Sequence, residues 1–314
     1  MKHAIIGIAI AALAASTASA ETLGVGSTKG TAVGQMATIL SKVVSEKASG
    51  IELRPKNMGG SQKYVPVVNA GELQFGIANI VQTTMAFEGT GLSAGKDYKN
   101  LRLAATLMAF RNGLLVRNDS DIKTVSDLKG KRVPSGFNAS PLFAHFFEGM
   151  MANGGVGMKD VEGIPAIGLS QSWDLLKQGK VDVVITAVGA APTREMNARI
   201  PSGVRFLSFD KSNPATTKML KGVYYVDLKP SEKFPAIKAP TTTVGYDFML
   251  FTNKDISDEA LGKVLKAIYD SETEIKASSP LWTNYSSKGM AKDVGLPYHP
   301  GAEKFYKSVG IWNR

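Results

Sequence analysis

The sequence predicts an α/β protein whose mostly parallel sheets are flanked by helices. Strand-like and helix-like segments alternate along the chain. In residues 170–186, for example, a helical pattern stops at Gly179 and a nearly continuous apolar strand follows. Such β–α–β alternation is typical of parallel sheets covered by helices. At 314 residues the chain is long enough for two domains or for one large domain.

The first twenty residues have the three parts of a secretory signal peptide. Met1, Lys2 and His3 form a basic start, residues 4–15 are apolar, and Ala18-Ser19-Ala20 is an A-x-A cleavage motif. The apolar run is too short to span a bilayer. We therefore expect residues 1–20 to be removed, the mature chain to begin at Glu21, and the protein to be periplasmic.

The cysteine content and the net charge of the chain limit what can stabilise the fold and what the protein can bind. There is no cysteine, so stability must come from buried apolar surface rather than from disulfides. The formal net charge is +10, but the basic residues are scattered and have no interleaved aromatic residues. Together with the signal peptide, this argues against a nucleic-acid partner. A generally basic surface and an attraction for anionic ligands both remain open.

Apolar periodicity, capping residues and glycine stops define most of the element boundaries. We expect Pro55 to end a strand, and Ser61 and Ser170 to cap the helices that follow them. The predicted helices are residues 31–48, 61–70, 141–151, 170–178 and 258–278. The predicted strands include residues 51–54, 74–78, 101–108, 113–116, 181–186, 204–209, 223–228 and 241–251.

A glycine-rich loop, residues 24–31, leads into the first long helix. Its glycines allow a tight backbone turn, and its three hydroxyl side chains and Lys29 could bind a small anion at the start of that helix. The loop is not a P-loop, because Lys29 precedes Gly30. It is not a dinucleotide fingerprint, because its third glycine is one residue late. An anion site and an ordinary strand-to-helix turn with a solvated lysine therefore remain equal alternatives.

Polar turns also follow three other predicted strands, within residues 79–84, 135–140 and 187–194. In open sheets of this kind, ligands bind beyond the carboxyl ends of the strands. The candidate ligand-binding residues are Ser27, Thr28, Lys29, Thr31, Asn79, Gln82, Ser135, Asn138, Ser140, Arg194 and Tyr246. Three side chains, including Trp173, could either contact the ligand or have a purely structural place. Arg194 could be a solvated helix residue, and Trp173 and Tyr246 could pack in the interior.

A secreted serine hydrolase is the rival class. Residues 91–95 match the G-x-S-x-G nucleophile motif around Ser93, but their polar flanks indicate a loop rather than the required strand and helix. The mature chain has only two histidines. We expect His145 to be packed within an aromatic helix and His299 to make a structural hydrogen bond. No cluster of residues has the spacing of a metal site.

Several stretches of the sequence resemble the TAXI family of solute receptors for TRAP transporters. They include the loop at residues 24–31, the segment Gly71-Glu72-Leu73-Gln74-Phe75-Gly76-Ile77-Ala78 followed by Gln82, residues 122–133, residues 175–183, and the closing segment Leu296-Pro297-Tyr298-His299-Pro300-Gly301-Ala302 with Tyr306. The resemblance covers most of the mature chain. The sequence departs from the family pattern at residues 136–140, which replace a common G-x-G-S-G-T, and at Gln74, which replaces an aspartate.

The resemblance implies a type II periplasmic-binding-protein fold, in which a ligand cleft lies between two α/β domains. Domain I would comprise residues 21–111 and 245–314, and domain II residues 112–244, with hinges near residues 109–112 and 243–246. It also implies a monomeric, non-enzymatic receptor without a cofactor or metal. Such a receptor passes a small organic anion to membrane-embedded TRAP transporter subunits. The ligands implied are glutamate, 2-oxoglutarate and related dicarboxylates.

Overall fold

The computed structural model describes residues 20–28 and 31–314. The predicted signal peptide, apart from Ala20, lies outside this range, as does Lys29 of the glycine-rich loop. Within the described residues, no helix is long and apolar enough to cross a membrane.

Strands and helices alternate along the chain, as the sequence predicts. The strands are β1 (Glu21–Ser27), β2 (Ile51–Asn57), β3 (Phe75–Asn79), β4 (Leu101–Arg117), β5 (Arg132–Gly136), β6 (Glu162–Ala166), β7 (Val183–Ala187), β8 (Val204–Phe206), β9 (Tyr224–Leu228) and β10 (Thr241–Asn253). The α-helices are α1 (Ala32–Lys47), α2 (Ser61–Asn69), α3 (Ile80–Glu88), α4 (Leu142–Met151), α5 (Leu169–Lys177), α6 (Ala191–Arg199), α7 (Ala215–Met219), α8 (Asp258–Tyr269), α9 (Glu272–Ser278) and α10 (Pro300–Ser308).

The central sheet has the strand order β2-β1-β3-β10-β4-β7, with β8 paired to β4 and β9 paired to β10. Strands β1, β2 and β3 are parallel, as are β5 and β6, which form a separate two-stranded ladder. β10 runs antiparallel to all three strands that pair with it, β3, β4 and β9. The helices flank this mixed sheet, so the predicted α/β fold class is confirmed.

The two longest strands, β4 and β10, are paired along most of their length. The sequence predicts two strands in residues 101–116, separated by a polar break. The structure has one strand of 17 residues instead, because residues 109–112 pair with residues 244–247 of β10. The two segments that the sequence analysis assigns to hinges therefore lie side by side in one ladder.

Two predicted element boundaries are wrong for local reasons. Pro55 does not end its strand: β2 continues to Asn57, because β2 is an edge strand in which a missing backbone N–H is tolerated. The predicted helix of residues 258–278 is divided into α8 and α9. At the break, the Ser271 hydroxyl donates to the Ala267 carbonyl (2.7 Å), and Glu272 accepts a hydrogen bond from the Ser287 backbone N–H (2.8 Å). Both contacts redirect the chain after Asp270.

Two predicted helix caps are also wrong. Gly60 and Gly168 occupy the N-cap positions of α2 and α5, so Ser61 is the first residue of α2 and Ser170 lies inside α5. Ser61 instead donates its hydroxyl to the Gln82 side chain. The side chain that could have capped the helix is used in a tertiary contact.

A buried carboxylate lies where β4 and β10 are paired. Asp247 on β10 is 4% exposed and accepts hydrogen bonds from Lys292 and from the Tyr224 hydroxyl (3.2 Å). Lys292 Nζ also lies 4.6 Å from the centroid of the Tyr224 ring. These contacts join the segment after α9 to β10 and β9, so they hold the C-terminal part of the chain against the long strands.

Replacing Lys292 with methionine should lower the free energy of unfolding by about 2 kcal/mol, because the Asp247 carboxylate is left buried without its cation. The loss is smaller than for a fully buried pair, because the Lys292 side chain is 44% exposed. Urea denaturation measures the change. As a control, Lys266→Met removes an exposed pair with Asp270 on α8 and should change stability by less than about 0.5 kcal/mol. Equal losses in the two variants would contradict the proposed importance of Asp247.

Candidate functional site

The carboxyl ends of β2, β1 and β3 meet at one edge of the sheet, because these strands are parallel. Ser27 and Asn57 are paired at this edge, and the fully buried Ser27 hydroxyl donates to Asn57 Oδ1 (3.0 Å). Asn79 ends β3 and caps α3, where its Oδ1 accepts the Gln82 backbone N–H (3.0 Å). Several of the predicted site residues therefore lie at one edge, with Ser27 and Asn79 below its surface.

Tyr64 of α2 links the other residues of this edge. Its ring lies directly on β1, where a Cβ on Gly26 would come within 2.6 Å of the ring. The Tyr64 hydroxyl donates to the Ile77 carbonyl (2.5 Å). Burial raises the pKa of the Tyr64 phenol, and hydrogen bonds with the Ser61 and Thr28 side chains oppose the rise. Ser61 also donates its hydroxyl to the Gln82 side chain, which links α2 to α3.

Sequence reasoning missed Tyr64 and the tertiary role of Ser61. The closely approached Gly26 was an available signal, because a glycine inside a strand often marks the position where a bulky group lies against the backbone.

Thr31 is exposed at the start of α1. There it caps the helix by accepting the Gly34 N–H (3.3 Å) and donates to the Thr28 carbonyl (2.7 Å).

The loop between β5 and α4 has an unusual backbone. Gly136 and Phe137 are both left-handed, with φ of 87° and 47°. A bulky residue in this region is a genuine outlier and costs on the order of 1–3 kcal/mol. Phe137 is fully buried and stacks on Phe147 with a centroid distance of 5.8 Å. Its N–H donates to the Ala166 carbonyl (2.8 Å), so packing and hydrogen bonding hold the strained loop in place.

This strained loop carries the other group of predicted site residues. Asn138 is exposed, and Ser135 and Ser140 are half-buried. The Ser135 side chain lies beside Gly163 of β6. Ser140 accepts the Phe143 N–H on its carbonyl (3.0 Å) at the start of α4. Among the described residues, no hydrogen bond joins this loop to the edge formed by β1 and β3.

The strand register places several side chains on one face of the sheet between the two groups. Residues paired directly across a ladder point to the same face. Along the order β3-β10-β4-β7, the pairs are Asn79 with Phe248, Tyr246 with Phe110, and Asn112 with Ala187. We call the face defined by these six residues the floor.

The floor is not fully covered by other parts of the chain. Of its six residues, Phe110 of β4 and Ala187 of β7 are half-buried, and the other four are buried. The half-buried Phe110 therefore lies on a part of the floor that a small molecule can reach.

Aromatic side chains dominate this face. Phe110 lies 5.7 Å from Tyr246 and 5.6 Å from Phe248, centroid to centroid, and Tyr246 lies 5.3 Å from Phe146 of α4. Tyr246 is 4% exposed and accepts a hydrogen bond from Asn112 Nδ2 (3.3 Å). Burial raises the pKa of Tyr246 to about 12, although the hydrogen bond from Asn112 opposes the rise. The phenol is therefore protonated and uncharged near pH 7.

The structure does not bring Arg194 into a defined contact. Arg194 is exposed on α6, and among the described residues its side chain has no hydrogen bond or ion pair.

Trp173 packs within a second, smaller core, where its Nε1 donates to the Ile185 carbonyl (2.9 Å). It also lines a cavity of about 360 Å³ between α5 and α6.

The motif around Ser93 does not form a nucleophile elbow. Ser93 lies in a three-residue 3-10 helix, so the strand and helix that an elbow needs are absent from this described segment. His145 is half-buried on α4, and burial lowers its pKa. His299 makes the expected structural hydrogen bonds: Nδ1 accepts the Gly301 N–H (3.0 Å) at the start of α10, and Nε2 donates to the Lys254 carbonyl (2.9 Å).

This arrangement of strands and helices is the fold of periplasmic solute-binding proteins. The protein PhnD1 of Prochlorococcus marinus, solved in complex with methylphosphonate, matches with a TM-score of 0.54 at 12% identity over 92% of this chain and 98% of its own. The aliphatic sulphonate-binding protein SsuA of Escherichia coli matches with a TM-score of 0.50 at 16% identity over 93% and 79%. A putative periplasmic sulfonate-binding protein of Methylobacillus flagellatus matches with 0.51 at 14% over 85% and 73%.

The chain belongs to the NMT1-like family, whose model matches residues 22–310. The matched region contains the whole of the candidate site, from the glycine-rich loop to the floor.

Proposed function

We propose that this protein is a periplasmic receptor that captures a small organic anion, a carboxylate, and has no catalytic activity of its own. The main observation behind the proposal is that polar residues at the strand ends lie next to the floor. Asn79 at the end of β3 shares that face with Phe110 and Asn112 of β4. Helix α4, which follows the strained loop, borders it through Phe146, which contacts Tyr246. The activity requires no cofactor or metal.

Helix dipoles and hydrogen-bond donors favour an anion at this place. α3 begins directly after β3, α1 begins at Ala32 a few residues after the end of β1, and α4 begins after the loop that carries Ser140. Helix N-termini attract negative charge, and charge-assisted hydrogen bonds are stronger than neutral ones. We propose the carboxylate site among the residues predicted from the sequence: Ser27, Thr28, Lys29, Thr31, Asn79, Gln82, Ser135, Asn138, Ser140, Arg194 and Tyr246. In this site, the buried residues hold the exposed residues in position.

The proteins of similar fold support an anionic ligand of small size. One is solved with methylphosphonate and two are described as sulfonate-binding. The choice of a carboxylate for this chain comes from its resemblance to TAXI receptors, whose implied ligands are glutamate, 2-oxoglutarate and related dicarboxylates.

If Lys29 pairs with the carboxylate, Lys29→Ala should weaken binding by about thirtyfold, or on the order of 2 kcal/mol. Ser140→Ala should weaken it less, because a neutral hydroxyl is lost. Calorimetric titration with hexanoate, adipate and phenylacetate measures both changes in affinity. Lys304→Ala, an exposed position on α10, is the control and should bind normally. Normal binding by both site variants would disprove this placement of the carboxylate.

We also propose that two domains close on the ligand. Domain I comprises residues 21–111 and 245–314, and domain II residues 112–244. Both connections then lie in the paired stretch of β4 and β10, where Tyr246 is opposite Phe110. Two adjacent connections restrict the motion to a hinge about this ladder, and the ligand shifts the population towards the closed form.

Small-angle X-ray scattering should show a smaller radius of gyration when the mature protein is saturated with its carboxylate ligand, because closure brings the domains together. Addition of a carboxamide analogue that lacks the charge should leave the radius unchanged. An unchanged radius with a saturating carboxylate would contradict closure and indicate a preformed pocket.

The membrane partner that we propose is a TRAP-type transporter, on the basis of the sequence resemblance. Uptake of a labelled ligand in vesicles that contain the transporter should require both the receptor and a sodium gradient, and should continue without ATP. One protein of similar fold is described as part of a putative sulfonate ABC transporter. Uptake that needs ATP instead of sodium would therefore assign the receptor to that class and overturn the TRAP assignment.

A further inference from the structure

The chemistry of the floor limits the part of the ligand that lies on it. Facing side chains of the paired strands are Asn79, Phe248, Tyr246, Val244, Met108, Phe110, Asn112 and Ala187. None of these eight residues is charged. The ionic groups Arg111 and Asp247 occupy neighbouring positions in β4 and β10, so strand alternation directs them to the opposite face.

The amides on the floor are already engaged. Asn79 accepts a backbone N–H to cap α3, and Asn112 donates to the Tyr246 hydroxyl and accepts the Gly113 N–H (2.8 Å). Their side chains are 8% and 4% exposed. These contacts fix the amide groups and leave Phe110 as the half-buried side chain at the centre of the floor.

The neighbouring helix extends the apolar surface. Phe143 and Ala144 in the first turn of α4 are half-buried, and Phe143 lies 6.4 Å from Phe137, centroid to centroid. Phe146, one turn further along, contacts Tyr246. A band of aromatic side chains therefore runs from the strained loop to the paired strands.

A second carboxylate placed on this band would lose its hydration without gaining a cation, which is unfavourable. An apolar group in the same place gains from leaving water. We propose that the ligand is a monocarboxylate with an aromatic or aliphatic body, whose charge lies at the strand-end loops and whose body lies on Phe110. This proposal rests on the proposed function and narrows it: glutamate, 2-oxoglutarate and other dicarboxylates are disfavoured.

Calorimetric titration of the mature protein with two matched pairs of ligands tests the proposal. Hexanoate and adipate differ only in a terminal methyl against a second carboxylate. Phenylacetate and phenylacetamide have the same phenyl body, but the amide is uncharged. We expect hexanoate to bind at least about tenfold more tightly than adipate, phenylacetate to bind, and phenylacetamide to bind at least about tenfold more weakly than phenylacetate.

The outcomes separate this inference from the proposed function. If adipate or 2-oxoglutarate binds as tightly as hexanoate or more tightly, the protein is still a carboxylate receptor, but the apolar body is disproved. If no carboxylate binds, or if phenylacetamide binds as well as phenylacetate, the carboxylate function itself is disproved and this inference with it.

A variant of the floor gives an independent measurement. Phe110→Leu keeps an apolar side chain but removes the ring, so it should weaken phenylacetate binding by about fivefold or more. Phe305→Leu is the control, because Phe305 is half-buried on α10 and packs on Tyr269. Thermal unfolding confirms that both variants are folded. Unchanged phenylacetate affinity in folded Phe110→Leu would overturn the placement of the body on Phe110.

Discussion

The pairing of β4 with β10 is the constraint on which the rest of the structure depends. These strands of 17 and 13 residues lie at the centre of the sheet. Every other strand of the sheet pairs with one of them, except β1 and β2, which join it through β3. β3 extends the ladder on one side, β7 extends it on the other, and β9 pairs with the start of β10. The floor exists because the residues opposite one another in this ladder share a face. Phe110, which is half-buried, lies in this ladder opposite Tyr246.

The sequence predicts the local elements well and their long-range contacts poorly. The first helix and the long strand β10 depend on residue types within a few positions, so they can be recognised from the sequence. The continuity of β4 through Arg111 and Asn112 cannot be recognised in the same way. The polar residues interrupt the apolar pattern, and their place in the strand is fixed by a partner more than a hundred positions away.

The same distinction holds for the candidate site. The polar turns that follow the strands were found because strand ends and turn residues have local signatures. Phe110 was missed because it falls between two predicted strands, and Tyr64 because its contact with β1 depends on how α2 packs. Conversely, Ser61 was assigned a local role as a cap and has a tertiary one. Local patterns identified the polar rim of the site, whereas the apolar surface within it required the folded sheet.

Two adjacent residues of β10 have different roles, because side chains alternate between the two faces of a strand. Tyr246 faces the floor, whereas Asp247 faces the opposite side and binds Lys292 and Tyr224 there. Substitutions on the floor can therefore change the shape and polarity offered to a ligand without touching the ion pair that holds the C-terminal segment. Such a division makes the specificity of the receptor evolvable, since ligand preference and the stability of the long strands can change independently.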